Sequence, residues 1–378
     1  MSKIGILTLY HKNNNYGGQL QAYALNKAVQ ELGYSSEQIS FERNRKKLYF
    51  RKIRGIFEES VTKDIFAVKL KLLLHRKKSK ESNADIQTFR KFKEFQEFIP
   101  HSKVFTEKNI AETNKIYDLF IVGSDQVWNP LLATKEYFFD FVEHKPCISY
   151  AASVRIDHFE KAEGRRIKKY LDKFSYISVR EKRAIQTLKE IGVDKEIEVM
   201  PDPTLLLSKE KWLEIVDNRE PEYDYIVAYL VRDDVSINMI RKYAQENGYK
   251  VMFIPEPGYY FEEDDIFVKI KDGVGPREFV QLISKAKLVI ANSFHGTVFS
   301  IIFNRPFYVY GNMEKDDRKG TLLKQFGLQD RLVKNDYDFC EHKDNICIDY
   351  SKVNDKLLEI RNSANKRIRE VLEKVTNN

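Results

Sequence analysis

Short apolar runs alternate with amphipathic stretches along the chain, and this alternation predicts an α/β fold built mainly on parallel sheets. The first run, residues 3–9, is typical of a β-strand, and a polar loop with two glycines follows it. Residues 18–32 then carry apolar side chains at helical spacing, with Gly33 where the helix would end. Later apolar runs predict strands at 117–122, 147–151, 176–179, 197–200, 225–231, 250–254, 287–291 and 306–310.

The predicted strands form two sets, and two Rossmann-like domains facing a central cleft are the simplest architecture for this order. Pro201 and Pro203 interrupt regular structure between the two sets. The tail carries an apolar stripe at helical spacing, which predicts a terminal helix. The expected division is residues 1–203 with a basic helical insertion at about 42–115, then 204–350, and finally a C-terminal helix at 351–378 that packs back towards the N-terminal domain.

The composition excludes several classes of protein. With 378 residues, 42% of them hydrophobic and 32% charged, the chain can bury cores of ordinary size and is not wholly disordered. No apolar run approaches the ~18 residues of a membrane span, and the N-terminus lacks the features of a signal peptide. Cys147, Cys340 and Cys347 form no C-x-x-C pair, so neither a disulfide framework nor a thiolate zinc site is indicated. We therefore expect a cytoplasmic protein.

Positive charge is concentrated in one part of the chain. The whole sequence has 64 Lys and Arg against 56 Asp and Glu, yet residues 41–80 alone contain 14 basic and 4 acidic residues. This segment could be a solvated helical insertion, or residues 43–80 could hold an anionic membrane surface or a lipid-linked substrate at the inner face of the plasma membrane. Nucleic-acid binding is disfavoured because no zinc-finger spacing or RNA-recognition signature accompanies the charge.

The sharpest candidate for chemistry follows the predicted strand at 287–291. Ser293 and His295 lie in a polar turn at the carboxyl end of that strand, where ligands of open α/β sheets bind. A helix predicted to begin at about Gly296 would direct backbone N–H groups and a positive dipole towards an anion. His295 could transfer protons near neutral pH. Alternatively, Ser293 is only a helix N-cap and His295 a structural residue.

A second polar turn follows the predicted strand at 117–122. Asp125 could accept a sugar hydroxyl or a proton there, and Trp128 could stack on the apolar face of a sugar. Equally, Ser124 and Asp125 could cap a helix while Trp128 fills a core.

Two further strand ends carry candidates. Arg180 follows the strand at 176–179, and its planar guanidinium suits a carboxylate or phosphate, although an ion pair with Glu181 is an equal alternative. The glycines of the first loop would let the backbone approach a ligand closely. The chain contains neither G-x-G-x-x-G nor a Walker A sequence, and Asp336-Tyr337-Asp338 is a weak metal signal. We therefore expect no metal and no nucleotide cofactor.

Together, five segments resemble the motifs of the polysaccharide pyruvyl transferase family, and the resemblance extends over about residues 4–330. The segments are Asn15-Tyr16-Gly17, Gly123-Ser124-Asp125-Gln126-Val127-Trp128, Ser178-Val179-Arg180-Glu181, Asp202-Pro203-Thr204-Leu205-Leu206, and Ser293-Phe294-His295-Gly296 followed by Asn304-Arg305-Pro306. The resemblance implies a glycosyltransferase-B-like fold of two Rossmann-type domains. It also implies transfer of pyruvate from phosphoenolpyruvate onto two hydroxyls of a sugar in a cell-surface polysaccharide or its lipid-linked precursor, forming a cyclic ketal.

The resemblance also suggests roles for individual residues. His295 would be the general acid or base, and phosphoenolpyruvate would be the donor, with no cofactor. Some family members have Arg where Ser293 stands, so a second cation must come from elsewhere. The expected donor-binding residues are Arg180, Ser293, Gly296, Arg318 and Lys319, and the expected acceptor-binding residues are Asn15, Tyr16, Gly17, Asp125, Gln126 and Trp128. A sugar-nucleotide-dependent glycosyltransferase and a non-catalytic polysaccharide-assembly partner are the alternatives.

Overall fold

The computed structural model describes residues 2–44, 83–130, 132–217, 219–230, 237–254, 263–268, 270, 272–311, 317–343 and 345–377. The chain divides into two compact units, with unit 1 comprising Met1–Glu81, Gln96–Pro203 and Arg367–Asn378, and unit 2 comprising Ser82–Phe95 and Thr204–Lys366. The division after Pro203 falls at the proline-containing segment that the sequence indicates. The observed units differ from the expected division in two places. Residues 82–95, which the sequence assigns to the insertion in the N-terminal domain, belong to unit 2, and so does the first part of the terminal helix. Most of the basic insertion, residues 45–82, lies outside the described residues.

The strands of unit 1 pair in parallel. They are β1 (Lys3–Leu7), β2 (Ser35–Gln38), β3 (Leu119–Val122), β4 (Cys147–Ser149), β5 (Ile177–Val179) and β6 (Ile197–Val199). Four of them form a sheet in the order β2-β1-β3-β4, and β5 pairs with β6. Isolated bridges from Ile148 to Tyr176 and from Ala152 to Val179 continue the parallel arrangement between β4 and β5. All the carboxyl ends therefore lie at one edge.

Helices cover the strands of unit 1 with apolar faces. The helices are α1 (Tyr16–Glu31), the last residues of α2 (Asn83–Phe98), α3 (Lys161–Leu171) and α4 (Lys182–Glu190). In α3 the buried residues Gly164, Ile167 and Leu171 are spaced at helical period, so they form the face turned to the core. A Cβ on Gly164 would lie 2.7 Å from Ile191, which explains why glycine occupies this close contact.

Unit 2 is built on a second parallel sheet. Its strands are β7 (Tyr225–Tyr229), β8 (Lys250–Phe253), β9 (Phe267–Val268), β10 (Leu288–Ala291), β11 (Phe307–Tyr310) and β12 (Leu332–Val333), and they lie in the order β12-β11-β10-β7-β8-β9. β7, β10 and β11 are entirely buried, as expected for central strands of a parallel sheet that is covered on both faces. From β7 the following strands β8 and β9 are added on one side of the sheet, and β10, β11 and β12 on the other side. The point beside β7 where the strand order changes direction is the type of position where open α/β sheets bind ligands.

The helices of unit 2 pack largely through aromatic side chains. They are α5 (Lys209–Leu213), α6 (Ile237–Asn247), α7 (Pro276–Lys285), α8 (Phe294–Ile302), α9 (Asp317–Phe326), α10 (Asp336–His342) and the first part of α11 (Tyr350–Thr376). Phe299 of α8 packs edge-on against Trp212 at 4.9 Å and against Phe279 at 6.0 Å between ring centroids. These contacts hold α8 in a fixed position behind the end of β10.

One sequence expectation about local structure needs correction. The helix expected at about Gly296 begins at Phe294, because Ser293 already caps it. The D-x-D sequence lies in the first turn of α10, where Asn335 caps the helix by accepting the N–H of Asp338 at 3.0 Å. In the part of the chain that the structure describes, no group of three or more His, Cys, Asp or Glu residues could hold a metal ion. No helix among those residues is both long and apolar enough to cross a membrane.

Candidate functional site

The turn after β10 forms the centre of the candidate site in unit 2. Ser293 has extended backbone angles, and its Oγ accepts the N–H of Gly296 at 3.2 Å, so it caps α8. Gly296 lies so close to the strand that a Cβ there would be 3.0 Å from the Cβ of Ala291. The structural role expected for Ser293 is therefore present, and its hydroxyl lies at the amino end of α8, where the helix dipole favours an anion.

His295 occupies the first turn of α8. Its ring meets that of Phe294 edge-on, with centroids 5.2 Å apart, and the side chain is only partly buried. The position follows from the sequence because β10 is fully apolar and ends at Ala291, so that the following polar residues emerge at the carboxyl edge of the sheet. The structure thus brings His295 and Ser293 together at the sheet edge that commonly binds ligands in α/β proteins.

Lys319 joins the carboxyl ends of two neighbouring strands in unit 2. Its Nζ donates to the carbonyl oxygens of Asn292 at 2.9 Å and Tyr310 at 3.0 Å, and the residue is only 6% exposed. The sequence places Lys319 in a loop before a helix at 320–326, but it lies in the first turns of α9. Because a buried ammonium adds positive charge beside the turn after β10, Lys319 is well placed to support an anion there.

Arg318 lies beside the same turn. Its guanidinium carbon is 5.9 Å from the centre of the Phe294 ring, which immediately precedes His295. Together with Lys319, it brings two cations to the amino end of α8. The expected catalytic and donor-binding residues of unit 2 therefore form one cluster, which consists of Ser293, His295, Gly296, Arg318 and Lys319.

The first loop of unit 1 is ordered by side-chain hydrogen bonds to the backbone. Asn15 caps α1 by accepting the N–H of Gly18 at 2.9 Å, whereas Tyr16 and Gly17 are buried in its first turn. Gln19 Nε2 donates to the carbonyl oxygens of Tyr10 at 2.7 Å and Asn13 at 2.6 Å. Asn15 therefore has a structural role as the cap of α1 and is the most exposed of the three residues, whereas Tyr16 and Gly17 are buried.

A buried polar network connects this loop to the turn after β3. Gln21 Nε2 donates to Thr8 Oγ1 at 2.9 Å, and Gln21 Oε1 accepts the N–H of Ser124 at 3.0 Å. Thr8 Oγ1 in turn donates to the carbonyl oxygen of Ser124 at 2.9 Å. Ser124 is fully buried, so its backbone and the adjoining Asp125 are held in a fixed position at the edge of the sheet.

Asp125 and Gln126 emerge from this network. Asp125 has a φ of +66°, and its carbonyl oxygen accepts the N–H groups of Val127 at 2.7 Å and Ser153 at 2.9 Å. Its side chain is 15% exposed. Gln126 is partly exposed and accepts a hydrogen bond from Asn129 at 2.8 Å. Both expected acceptor-binding side chains therefore retain access to solvent at the carboxyl edge of unit 1.

The structure does not support the expectation that Arg180 offers its guanidinium to the donor. Its side chain is 4% exposed, and its nitrogens lie 2.7 Å from Asp202 Oδ2, 3.2 Å from Glu181 Oε1 and 3.7 Å from Asp125 Oδ1. Burial by itself would lower the pKa of Arg180, but the attraction of Glu181 and Asp202 raises it well above its ordinary value. An anion could reach this guanidinium only by displacing carboxylates, so Arg180 belongs to an internal ion cluster.

The expectation that Trp128 stacks on a sugar is wrong. The side chain is fully buried, its ring stacks on Phe138 at 5.7 Å, and it meets Phe174 edge-on at 5.9 Å. Its indole N–H donates to the carbonyl oxygen of Tyr137 at 3.0 Å. Trp128 therefore belongs to the core of unit 1, as the alternative interpretation of the sequence allowed.

Sequence reasoning assigned no site role to several residues that shape this edge. Glu181 and Asp202 bind Arg180, and Ser153 Oγ donates to Glu181 Oε1 at 2.7 Å. Asp202 directly follows Pro201 at the end of a predicted strand, just as Arg180 follows another. Their shared position at strand ends is the signal that could have placed them in one cluster, because parallel strands end at the same edge.

Comparison with known proteins assigns the chain to a family and a fold. A family model described as polysaccharide pyruvyl transferase matches residues 15–313. A search of curated proteins finds no match.

Three solved structures that resemble the chain are distant from it in sequence. A putative UDP-N-acetylglucosamine 2-epimerase from Listeria monocytogenes is 12% identical with a TM-score of 0.56, over 100% of this chain and 97% of that one. MnaA from S. aureus, solved with UDP, is 13% identical with a TM-score of 0.55, again over 100% and 97%. HepE from Anabaena, solved with UDP and glucose, is 12% identical with a TM-score of 0.50, over 99% and 100%. At such identities the likeness shows the fold alone, which is α/β and glycosyltransferase-B-like, as the sequence predicts.

Proposed function

Because the chain belongs to the polysaccharide pyruvyl transferase family, we propose that it transfers pyruvate from phosphoenolpyruvate onto two hydroxyls of a sugar. The acceptor would be a cell-surface polysaccharide or its lipid-linked precursor, and the product a cyclic ketal. The observation that carries this proposal is the cluster in unit 2, where His295 lies at the amino end of α8 beside Arg318 and Lys319.

We assign the donor to this cluster. Phosphoenolpyruvate carries a phosphate and a carboxylate, and both favour the positive end of a helix and nearby cations. Lys319 contributes a buried ammonium beside the turn, and Arg318 contributes a guanidinium next to Phe294. These two residues replace the cation that some family members carry where this chain has Ser293.

His295 would transfer the protons of the reaction. In the first step a sugar hydroxyl oxygen bonds to C2 of phosphoenolpyruvate, the C2–C3 double bond takes up a proton at C3, and the hydroxyl loses its proton. His295 is the group we assign to the delivery of the C3 proton or the removal of the hydroxyl proton. In the second step the oxygen of the other hydroxyl bonds to C2 while the bond from C2 to the phosphate oxygen breaks. The electron pair of that bond and the hydroxyl proton go to the departing inorganic phosphate, and the ketal closes.

The acceptor is assigned to the edge of unit 1. The side chains of Asp125 and Gln126 are partly exposed there, and both are suited to bind hydroxyl groups. Asn15 lies in the neighbouring turn that begins α1. Trp128 has no part in acceptor binding because it is fully buried.

Replacement of His295 by Asn tests the role of the donor cluster. Asn keeps a polar side chain but cannot titrate, so phosphate release from phosphoenolpyruvate in the presence of acceptor should fall roughly 10²-fold or more. His342→Asn is the matched control, since His342 lies at the end of α10 in the same unit. A folded His295→Asn enzyme within a few-fold of wild type would show that His295 has no catalytic role.

A sugar-nucleotide-dependent glycosyltransferase is the second candidate. The specific observation in its favour is that the amino end of α8 also suits a diphosphate, and MnaA and HepE were both solved with UDP. The donor separates the two functions. Release of inorganic phosphate from phosphoenolpyruvate supports the pyruvyl transferase, whereas release of UDP from a UDP-sugar supports the glycosyltransferase.

The basic segment 43–80 is proposed to contact an anionic membrane surface. The proposal rests on its excess of Lys and Arg beside apolar residues in the sequence. Deletion of 43–80 should abolish salt-sensitive binding to vesicles that contain phosphatidylglycerol, while activity on a soluble glycoside persists. Unchanged vesicle binding by the deletion variant would contradict the proposal.

A further inference from the structure

Four ionic side chains of unit 1 form a cluster that we call the Arg180 cluster: Arg180, Asp125, Glu181 and Asp202. Arg180 lies between the three carboxylates, which are supplied by residues after β3, β5 and β6. Asp202 is fully buried at 0% side-chain exposure, and Arg180 is 4% exposed. The shortest contact, 2.7 Å, joins these two most buried members.

The exposed fractions increase from Asp202 outwards. Glu181 is 12% exposed, and Asp125 is the most exposed member at 15%. Asp202, the most buried member, therefore anchors one guanidinium nitrogen of Arg180, while another guanidinium nitrogen lies 3.7 Å from Asp125 Oδ1. The backbone of Asp125 is fixed independently, because its carbonyl oxygen accepts two N–H groups.

The charge of the cluster determines what can bind in front of it. Three carboxylates face one guanidinium, so the formal charge of these four side chains is negative. A carboxylate or phosphate at this edge would meet repulsion, whereas sugar hydroxyls can donate hydrogen bonds to Asp125. The edge of unit 1 thus differs from that of unit 2, where Arg318 and Lys319 favour anions.

We propose that Arg180 is a positioning residue for the acceptor: anchored by Asp202, it orients the Asp125 carboxylate towards hydroxyls of an uncharged sugar unit. This inference rests on the assignment of the acceptor to unit 1. Arg180 would then support binding of the acceptor sugar, and not binding of phosphoenolpyruvate as expected from the sequence. The inference also predicts that the sugar residue bound at this edge is uncharged, which excludes uronic acids and sugar phosphates there.

Glycoside binding without phosphoenolpyruvate gives a test that does not depend on the reaction. Saturation-transfer NMR would measure the Kd for methyl glycosides of glucose, galactose and mannose, and for methyl glucuronoside as the charged counterpart. At least one neutral glycoside should bind wild type at least tenfold more tightly than the glucuronoside. Asp125→Asn should weaken binding of that glycoside at least tenfold and reduce the discrimination against the glucuronoside.

Arg180→Lys separates positioning from general stability. Lys keeps the charge but cannot contact several carboxylates in a planar geometry. The Kd of the neutral glycoside, and the acceptor KM in turnover, should rise at least tenfold while the KM for phosphoenolpyruvate is unchanged. In an Asp125→Asn background the same change should add little, because Arg180 acts through Asp125. Asp202→Asn keeps the guanidinium and provides a second variant if Arg180→Lys does not fold. It should also raise the Kd of the neutral glycoside and the acceptor KM.

Arg367→Lys is the matched control. Arg367 makes a two-pronged contact with Glu198, the middle residue of β6 in unit 1, and among the described residues it forms no ion pair with a member of the Arg180 cluster, so its replacement should leave glycoside binding unchanged. The inference would be overturned if Arg180→Lys raised the KM for phosphoenolpyruvate but left glycoside affinity unchanged. It would also be overturned if wild type bound the glucuronoside more tightly than the neutral glycosides, or bound no neutral glycoside. If glycoside binding follows the expected pattern but phosphoenolpyruvate is not consumed, only the proposed pyruvyl transfer fails.

Discussion

Replacement of Trp128 tests whether the turn after β3 contributes an aromatic platform or a core residue. The indole is fully buried, stacks on Phe138 and donates its N–H to the carbonyl oxygen of Tyr137 at 3.0 Å. Trp128→Phe keeps an aromatic ring for the stack but leaves that carbonyl without its indole donor. Trp128→Ala removes the whole side chain from between Phe138 and Phe174.

The two substitutions should therefore destabilise unit 1 by different amounts. The loss of a buried hydrogen bond costs about 1–3 kcal/mol, which sets the expected effect of Trp128→Phe. Large-to-small changes of a buried Trp cost about 3–5 kcal/mol, which sets the expected effect of Trp128→Ala. Urea unfolding followed by circular dichroism measures both free energies of unfolding.

Acceptor kinetics decide between the two roles. If Trp128 is a core residue, the acceptor KM of folded Trp128→Phe should equal that of wild type, and acceptor sugars should not alter the Trp128 fluorescence. Trp212→Phe is the matched control, because Trp212 is equally buried in unit 2 and donates its indole N–H to the carbonyl oxygen of Thr204 at 3.1 Å. A Trp128→Phe enzyme with full stability and an acceptor KM raised tenfold would refute the core assignment.

Three further predictions concern charged and reactive groups. Burial raises the pKa of Cys147 to about 12. Maleimide at pH 8 should therefore label the exposed Cys347 and leave Cys147 unmodified. Rapid labelling of Cys147 in the folded protein, detected by mass spectrometry, would contradict this. Hydrogen bonds from Arg367 lower the pKa of Glu198, so Arg367→Ala should cost about 1 kcal/mol near pH 7, as expected for a partly exposed ion pair. That stabilisation is present above the ordinary glutamate pKa and is lost as the pH falls through the lowered pKa, so a gap in thermal stability that persists below it would contradict the assignment. Lys319→Met should raise the KM for phosphoenolpyruvate at least tenfold, about 1.4 kcal/mol, and an unchanged KM in steady-state kinetics would remove Lys319 from the donor site.

The strand ends were predictable because each buried strand of a parallel α/β fold is a short apolar run that stops at a polar turn. The apolar run at 287–291 corresponds to β10, and the polar residues after it had to emerge at the carboxyl edge. The same logic locates Asp125 after β3 and Arg180 after β5. Sequence reasoning could therefore bring Ser293 and His295 together, since they are neighbours in one turn.

The partners of these side chains were not predictable because they come from distant parts of the chain. Lys319 bonds the carbonyl oxygen of a residue 27 positions away, and Arg180 contacts Asp202, 22 positions away. Residue type alone does not distinguish an Arg that binds substrate from one enclosed by carboxylates. Trp128 shows the same limit, because its burial depends on Phe138 and Phe174, which no local pattern connects to it.

The most direct test of the central claim is mass spectrometry of neutral glycosides, including lipid-linked forms, incubated with the protein and phosphoenolpyruvate. Phosphate release is followed in parallel, and excess EDTA is added in one arm because the proposed reaction uses no metal. The account predicts a product with the added mass of one pyruvate ketal, one phosphate released per ketal, and turnover that EDTA leaves unchanged. Consumption of a UDP-sugar with transfer of its glycosyl group, and no ketal from phosphoenolpyruvate, would contradict it.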